Sequence, residues 1–199
     1  MSARPGIIRR QRSDAPASRP LKIVVTGPFA AGKTSLIRTI SEVTVLATER
    51  GISDDTSCSK ETTTVAMDFG RISFGPDLSL FLFGTPGQKR FEVMWEVLSE
   101  GMIGFILLVN AADKRSVAEA GDLLETFRAY ADVPFVIGVT HVEDAGEENG
   151  AEALRDRLGL PPEAPVVACD PRSRDDVKDL MLQILFGVLR RLEAVPAAS

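Results

Sequence analysis

Gly27-Pro-Phe-Ala-Ala-Gly32-Lys33-Thr34 is the stretch of this chain whose residue types and spacing could do chemistry. It fits G-x-x-x-x-G-K-[ST], and each part of that pattern has a physical job. Gly27 and Gly32 let backbone N–H groups of the loop, including those of Phe29, Ala30 and Ala31, close around phosphate oxygens. The helix that starts at Lys33 and continues through Ser35 adds partial positive charge at its N-terminus. The Lys33 ammonium bridges the β- and γ-phosphates, and the Thr34 hydroxyl reaches a Mg²⁺ ion. The chemistry to expect is therefore the binding, and the hydrolysis or transfer, of a polyphosphate.

Such a loop works only between a strand and a helix, and the flanking sequence supplies both. Leu21 to Thr26, LKIVVT, is a β-branched run that stops at Gly27, the pattern of a buried parallel strand. Lys33 to Ser41 reads as a helix. Residues 44 to 63 are polar and read as a long, mobile connection. Thr64 to Phe74 and Leu78 to Phe83 are strand-like runs around Gly-Pro-Asp, which predicts an antiparallel hairpin. A helix follows over Phe91 to Glu100, ending at Gly101. Met102 to Val109 and Val133 to Val139 are apolar strands enclosing a helix over Ser116 to Tyr130. A helix over Asn149 to Leu158, a short strand over Pro165 to Ala168 and a long helix over Ser173 to Val195 complete the order. Strands alternating with helices predict an α/β fold of three layers, the P-loop NTPase fold. Its sheet has six strands, mostly parallel, with one antiparallel edge strand and helices on both faces.

Composition narrows the class. The chain has 199 residues, 44% hydrophobic and 26% charged, values of an ordinary globular domain. Cys58 and Cys169 with the single His141 make no zinc cluster, and no disulfide is suggested. No apolar run has membrane-spanning length and no signal-peptide core is present, so a cytoplasmic protein is expected. Neither a prenyl nor a myristoyl anchor is expected. The net charge of −5 divides unevenly: Arg4, Arg9, Arg10, Arg12 and Arg19 against Asp14 give residues 1–20 a net +4, which leaves −9 on the rest. That basic, Pro- and Ser-containing arm is expected to be disordered, a solvated tail or a weak electrostatic tether to anionic lipid or an acidic partner. No nucleic-acid partner is expected.

From Leu21 to about Val195 the chain resembles a Ras-like small GTPase, which implies residues 1–20 as a tail, 21–195 as the G domain and 196–199 as a second tail. Four further motifs carry the resemblance. TTTVAMDFG at 62–70 is similar to a Rab-type first switch, which implies Thr64 as a Mg²⁺ ligand beside Thr34. FGTPGQKRF at 83–91 aligns with the D-T-A-G-Q second switch, which implies that the Gly87 N–H meets the γ-phosphate and Gln88 orients the attacking water. THVE at 140–143 stands where the family carries N-K-x-D, so that Thr140 ties the loop, His141 lies over the base and Glu143 accepts from guanine. VVACDPRS at 166–173 stands at the S-A-K loop, which implies that Cys169 packs and the backbone N–H near Asp170 meets the guanine O6. The cofactors implied are GTP or GDP and Mg²⁺. The subfamily most similar is the bacterial gliding- and polarity-related GTPases with an FGTPGQ switch. That likeness implies roadblock or longin-type regulatory partners and, in some bacteria, a sensor-kinase system.

Two positions depart from the family. Gly84 stands where the family has its Walker-B aspartate; Asp68, on the same strand face as Thr64 by period-two spacing, is the acid that could substitute. Phe29 stands where the family has a small glycine, which crowds Gln88 and an incoming arginine. The expected function is a GTP-binding switch with slow hydrolysis. A nucleotide-holding pseudo-GTPase scaffold and another P-loop ATPase or kinase are the alternatives. Phe91, Met94 and Trp95 are candidates for a partner patch, although their helical spacing favours a core role for at least two of them.

Overall fold

The computed structural model describes residues 20–43, 67–75, 77–87, 91–146 and 150–194. Six strands form one sheet: β1 (Leu21–Thr26), β2 (Asp68–Phe74), β3 (Leu78–Gly84), β4 (Gly104–Asn110), β5 (Phe135–Thr140) and β6 (Val166–Ala168). Their order is β2-β3-β1-β4-β5-β6, parallel throughout except for the antiparallel β2–β3 pair at one edge. The expected six-stranded, mostly parallel sheet with one antiparallel edge is thus what the chain forms. The helices are α1 (Lys33–Ile40), α2 (Glu92–Ser99), α3 (Lys114–Tyr130), α4 (Val142–Ala145), α5 (Ala151–Arg157) and α6 (Arg174–Ala194).

Period-two alternation in the central strands feeds two cores, because successive side chains point to opposite faces. Ile23 and Val25 on β1 and Ile106 and Leu108 on β4 face α1 and α6, packing on Leu36, Ile37, Val177, Leu180 and Ile184. Val24, Phe105, Leu107 and Val109 face the other way, onto Trp95 of α2, Leu123 and Phe127 of α3 and Leu154 of α5. Each such large aliphatic or aromatic side chain, buried completely, contributes roughly 1.5–3 kcal/mol.

The boundaries move for local reasons. The strand expected from Met102 begins at Gly104, because the Met102 N–H closes a turn onto the Ser99 carbonyl at 3.1 Å. Helix α3 starts two residues early, at Lys114, where the Asp113 carboxylate accepts the Arg115 N–H at 2.9 Å as an N-cap. Strand β5 starts at Phe135 and not Val133, since Pro134 has no N–H for the ladder; its carbonyl accepts from Phe105 at 3.1 Å. The one-turn helix α4 was not expected. Thr64 to Ala66, the start of the expected hairpin strand, lies outside the described residues, as do residues 1–19 and the connection at 44–63. Among the described residues, no helix is long and apolar enough to cross a membrane.

The ladder continues past the strand ends and so fixes the loops above them. Thr85 N–H donates to Val25 at 2.9 Å, Ala111 N–H to Thr140 at 2.9 Å and Cys169 N–H to Val139 at 2.9 Å. The strand order reverses at β1, with β3 on one side and β4 on the other, and this is where an open α/β sheet leaves a crevice beyond its carboxyl ends.

Candidate functional site

A cavity of about 900 Å³ occupies that crevice, lined by five chain segments. The loop before α1 contributes Phe29, Ala30 and Gly32, and α1 itself Lys33, Thr34 and Ser35. Asp68 enters from β2, and Thr85, Pro86, Gly87 and Phe91 from the turn after β3 and the approach to α2. The loops after β5 and β6 supply His141, Val142, Glu143, Asp144, Cys169, Asp170, Pro171 and Arg172, and α6 adds Asp176. Gly27, Ala31 and Thr140 do not line it. Ala31 and Thr140 are wholly buried just beneath.

The loop before α1 needs its glycines. Gly27 has φ +147, and a Cβ there would land on the Leu108 carbonyl oxygen; Gly32 has φ +98, with a Cβ 2.8 Å from Pro171 Cγ. Ala30 is also left-handed, at φ 61. Helix α1 carries no acid in its own first turn, and its positive end faces the cavity. Lys33 Nζ folds back over the loop and donates to the Gly27 and Pro28 carbonyls, each at 2.7 Å. Burial pushes the Lys33 ammonium down to about 8, and the Asp68 carboxylate nearby opposes that shift. This end of the cavity holds a cation whose partners are backbone carbonyls, the environment an anion completes.

Beside Lys33, the Thr34 hydroxyl donates to Asp68 Oδ2 at 2.5 Å. Asp68 and Gly84 are cross-strand partners in the β2–β3 pair. These oxygen donors fit Mg²⁺, a hard cation that keeps several waters and is held by one or two protein oxygens plus phosphate. Among the described residues, no cluster of three or more acidic, His or Cys groups could cage a metal. Thr64, the second expected metal ligand, lies outside the described residues.

Gly87 packs tightly on the same corner: a Cβ there would sit 2.8 Å from Phe29 N and 2.9 Å from Lys33 Nζ. The turn that delivers it is pinned at both ends. Thr85 Oγ1 donates to Thr26 Oγ1 at 3.0 Å, and the Trp95 indole N–H donates to the Pro86 carbonyl at 2.9 Å. Trp95 is therefore a core residue, 6.0 Å from the Phe127 ring, while Val93 and Val97 take the outer face of α2 at 78% and 66% exposure. Gln88, Lys89 and Arg90 lie outside the described residues. Phe29 stands at the cavity mouth, 72% exposed.

The far end of the cavity is acidic. Thr140 Oγ1 lies 3.2 Å from the Ala31 carbonyl and 3.3 Å from that of Val109, and so ties β5 to the first loop and to β4 without reaching the cavity. His141 turns the chain in the left-handed region, φ 57, and its Nδ1 lies 3.1 Å from Thr140 Oγ1. Glu143 follows in the first turn of α4, exposed into the cavity mouth. The Asp170 backbone N–H, expected to face a base oxygen, donates instead to Asp176 Oδ2 at 2.9 Å; the Asp176 side chain reaches back from the first turn of α6 and also accepts from Ser173 Oγ at 2.8 Å. Arg172 clasps the Asp170 carboxylate through Nε and Nη2, each at 3.0 Å, which holds that carboxyl below the usual range. Burial, reinforced by Asp176 and Asp170, pushes the Cys169 thiol up to about 12, so it packs as a neutral group. Asp144, Pro171, Arg172 and Asp176 line the site without having been singled out in the sequence. Their only signal was proximity to the two base-side loops.

Comparison with known proteins agrees with this geometry. Over 132 residues, 66% of this chain and 76% of its relative, the sequence is 30% identical to an uncharacterised protein of Methanocaldococcus jannaschii. It is 29% identical over 144 residues, 70% of each chain, to ADP-ribosylation factor-like protein 8c of Arabidopsis thaliana. It is 25% identical over 126 residues, 62% of this chain and 47% of the relative, to Ras-related protein Rab-12 of Mus musculus. A family model matches residues 25–157, from the end of β1 through α5, and spans the first loop, the Thr34–Asp68 pair and the turn at Gly87. On that match, the chain belongs to the family described as conserved hypothetical ATP binding protein.

Proposed function

We propose that the protein is a guanine-nucleotide switch that binds GTP and GDP with Mg²⁺ and hydrolyses GTP slowly. The observation that carries this reading is the convergence, in one cavity, of Lys33, the Thr34–Asp68 pair and Gly87. Backbone N–H groups of the loop and the N-terminus of α1 hold the phosphates, and Lys33 exchanges its two carbonyl partners for phosphate oxygens. The Thr34 hydroxyl, oriented by Asp68, would hold Mg²⁺, which would supply neutralisation of phosphate charge. Glu143 accepts from the guanine N1–H and exocyclic amine, with His141 beside the base. Gln88 orients the attacking water. Phe29 crowds the approach to it, which keeps intrinsic hydrolysis slow. A partner of the roadblock or longin type, in a bacterial signalling setting, reads the turn at Gly87 and the exposed Val93 and Val97 of α2.

A second reading, adenine recognition, is favoured by one contact. The Asp170 N–H that a guanine O6 would need is held by Asp176, and the carboxylates at that end suit an exocyclic amine donor equally well. The family's description as ATP binding points the same way. The nucleotide that co-purifies decides between them, released by denaturation and resolved by ion exchange. GDP is the expected species; ADP would overturn the guanine assignment, and an empty protein would favour a scaffold.

The pKa of Lys33 sets a pH dependence whose sign follows from linkage. Bound polyphosphate favours the ammonium, whereas in the free protein Lys33 is neutral above about 8. Affinity is therefore expected to be level in this respect below pH 8. It should fall by up to about tenfold per pH unit above it, as read by calorimetric titration with the diphosphate from pH 7 to 9.5.

A further inference from the structure

We propose that Asp68 replaces the carboxylate missing at Gly84, so that the metal-dependent hold on nucleotide runs through a Thr34–Asp68 pair built across two strands. The inference deepens the switch reading and rests on it. Strands β2 and β3 are antiparallel with Asp68 directly opposite Gly84, and directly opposed residues project to the same face about 5 Å apart. A carboxylate carried by residue 68 therefore reaches the region that a side chain at 84 would enter.

The packing around Gly84 says the same. A Cβ added at Gly84 would lie 3.0 Å from Asp68 Cβ, 3.3 Å from Asp68 Oδ2 and 2.9 Å from Ile37 Cδ1. The space for an acid at 84 is already filled by the acid at 68. One rung holds one carboxylate.

The hydrogen bond to Thr34 gives that carboxylate its task. A hydroxyl has one proton and two lone pairs. With the proton committed to Asp68 Oδ2 at 2.5 Å, the Thr34 lone pairs are left for a cation, and the rotor is fixed. Asp68 also places negative charge beside Lys33 and the metal position, where it offsets two cations. It acts as a positioning residue on Thr34 and, through the ion's water shell, on Mg²⁺ itself.

The test uses the full-length protein loaded with a fluorescent GDP analogue, with nucleotide release followed by stopped flow while free Mg²⁺ is titrated against EDTA. In the wild type, Mg²⁺ is expected to slow release. Asp68→Asn, nearly isosteric and so expected to keep the fold, should raise the Mg²⁺ concentration at half-effect by about 10- to 100-fold, each protein being read against its own release rate in EDTA. The double variant Asp68→Gly with Gly84→Asp returns a carboxylate to the rung from the other strand, with the Asp68 Cβ and carboxylate removed from the new Cβ and only the end of the Ile37 side chain left to shift, and should recover most of the Mg²⁺ effect; Asp68→Gly alone should not. A wild-type Mg²⁺ response that survives in Asp68→Asn would overturn the inference and leave the switch reading standing. Failure of the wild type to hold guanine nucleotide, or to respond to Mg²⁺ at all, would overturn both.

Discussion

Lys33→Ala is expected to weaken nucleoside di- and triphosphate binding by about a hundredfold or more while leaving the melting temperature of the nucleotide-free protein unchanged or slightly higher. The two halves of that expectation have one origin. The Lys33 ammonium is buried against two backbone carbonyls, and its pKa, lowered to about 8, records that the free protein holds this charge at a cost. A charge kept under such conditions is compensated when phosphate oxygens arrive. Removing it therefore abolishes the compensation, while in the free state the two hydrogen bonds lost are offset by the burial cost removed with them. Calorimetric titration with GDP and with the triphosphate measures the first half, and differential scanning fluorimetry of nucleotide-free protein measures the second. A wild-type affinity in Lys33→Ala would mean that the ligand of this cavity is not a polyphosphate.

Gly27→Ala is expected to cost at least about 3 kcal/mol of stability, the largest effect of any single methyl in the described structure. Strain and overlap add at this residue. Its φ of +147 disfavours any L side chain, and the new Cβ would meet the Leu108 carbonyl in the neighbouring strand, a backbone atom that cannot rotate away. Relief requires β1 and β4 to part at the Thr26–Leu107 rung, in the centre of the sheet. Gly101→Ala separates the two contributions: its φ of +70 is also left-handed, but nothing lies within 4 Å of its Cβ position. That control should lose only about 1 kcal/mol. Urea unfolding of both variants gives the comparison, and equal losses would show that overlap at Leu108 relaxes freely.

What could be read from the sequence and what could not divide along the range of the interactions involved. LKIVVT and FILLV declare buried strands because β-branched and apolar runs of that length suit little else, and the glycine spacing before Lys33 identifies a phosphate loop from eight residues. Strand β5 begins late because of a single proline, and α3 early because of a single cap, each a local effect of one side chain. Helix α4 is too short to show a period. The pairing of Asp68 with Gly84 is a matter of register between strands, and period-two spacing could mark Asp68 only as sharing a face with Thr64. The contact from Asp176 to the Asp170 N–H spans a turn and the start of α6, and no motif announces it. On α2, Trp95 takes the core role that helical spacing favoured for it, its indole N–H reaching a carbonyl, while two valines that the sequence reading did not single out stand outside.

The shared rung at Asp68 and Gly84 changes the unit on which selection acts. If either position can carry the acid but the packing admits only one, then neither residue is individually required, and the two are exchangeable only together. A lineage can move the carboxylate from one strand to the other through an intermediate that has both, crowded, or neither, with a weakened grip on metal. The family's aspartate motif is then one of two spellings of the same site, and a search that reads single columns will classify the other spelling as its loss.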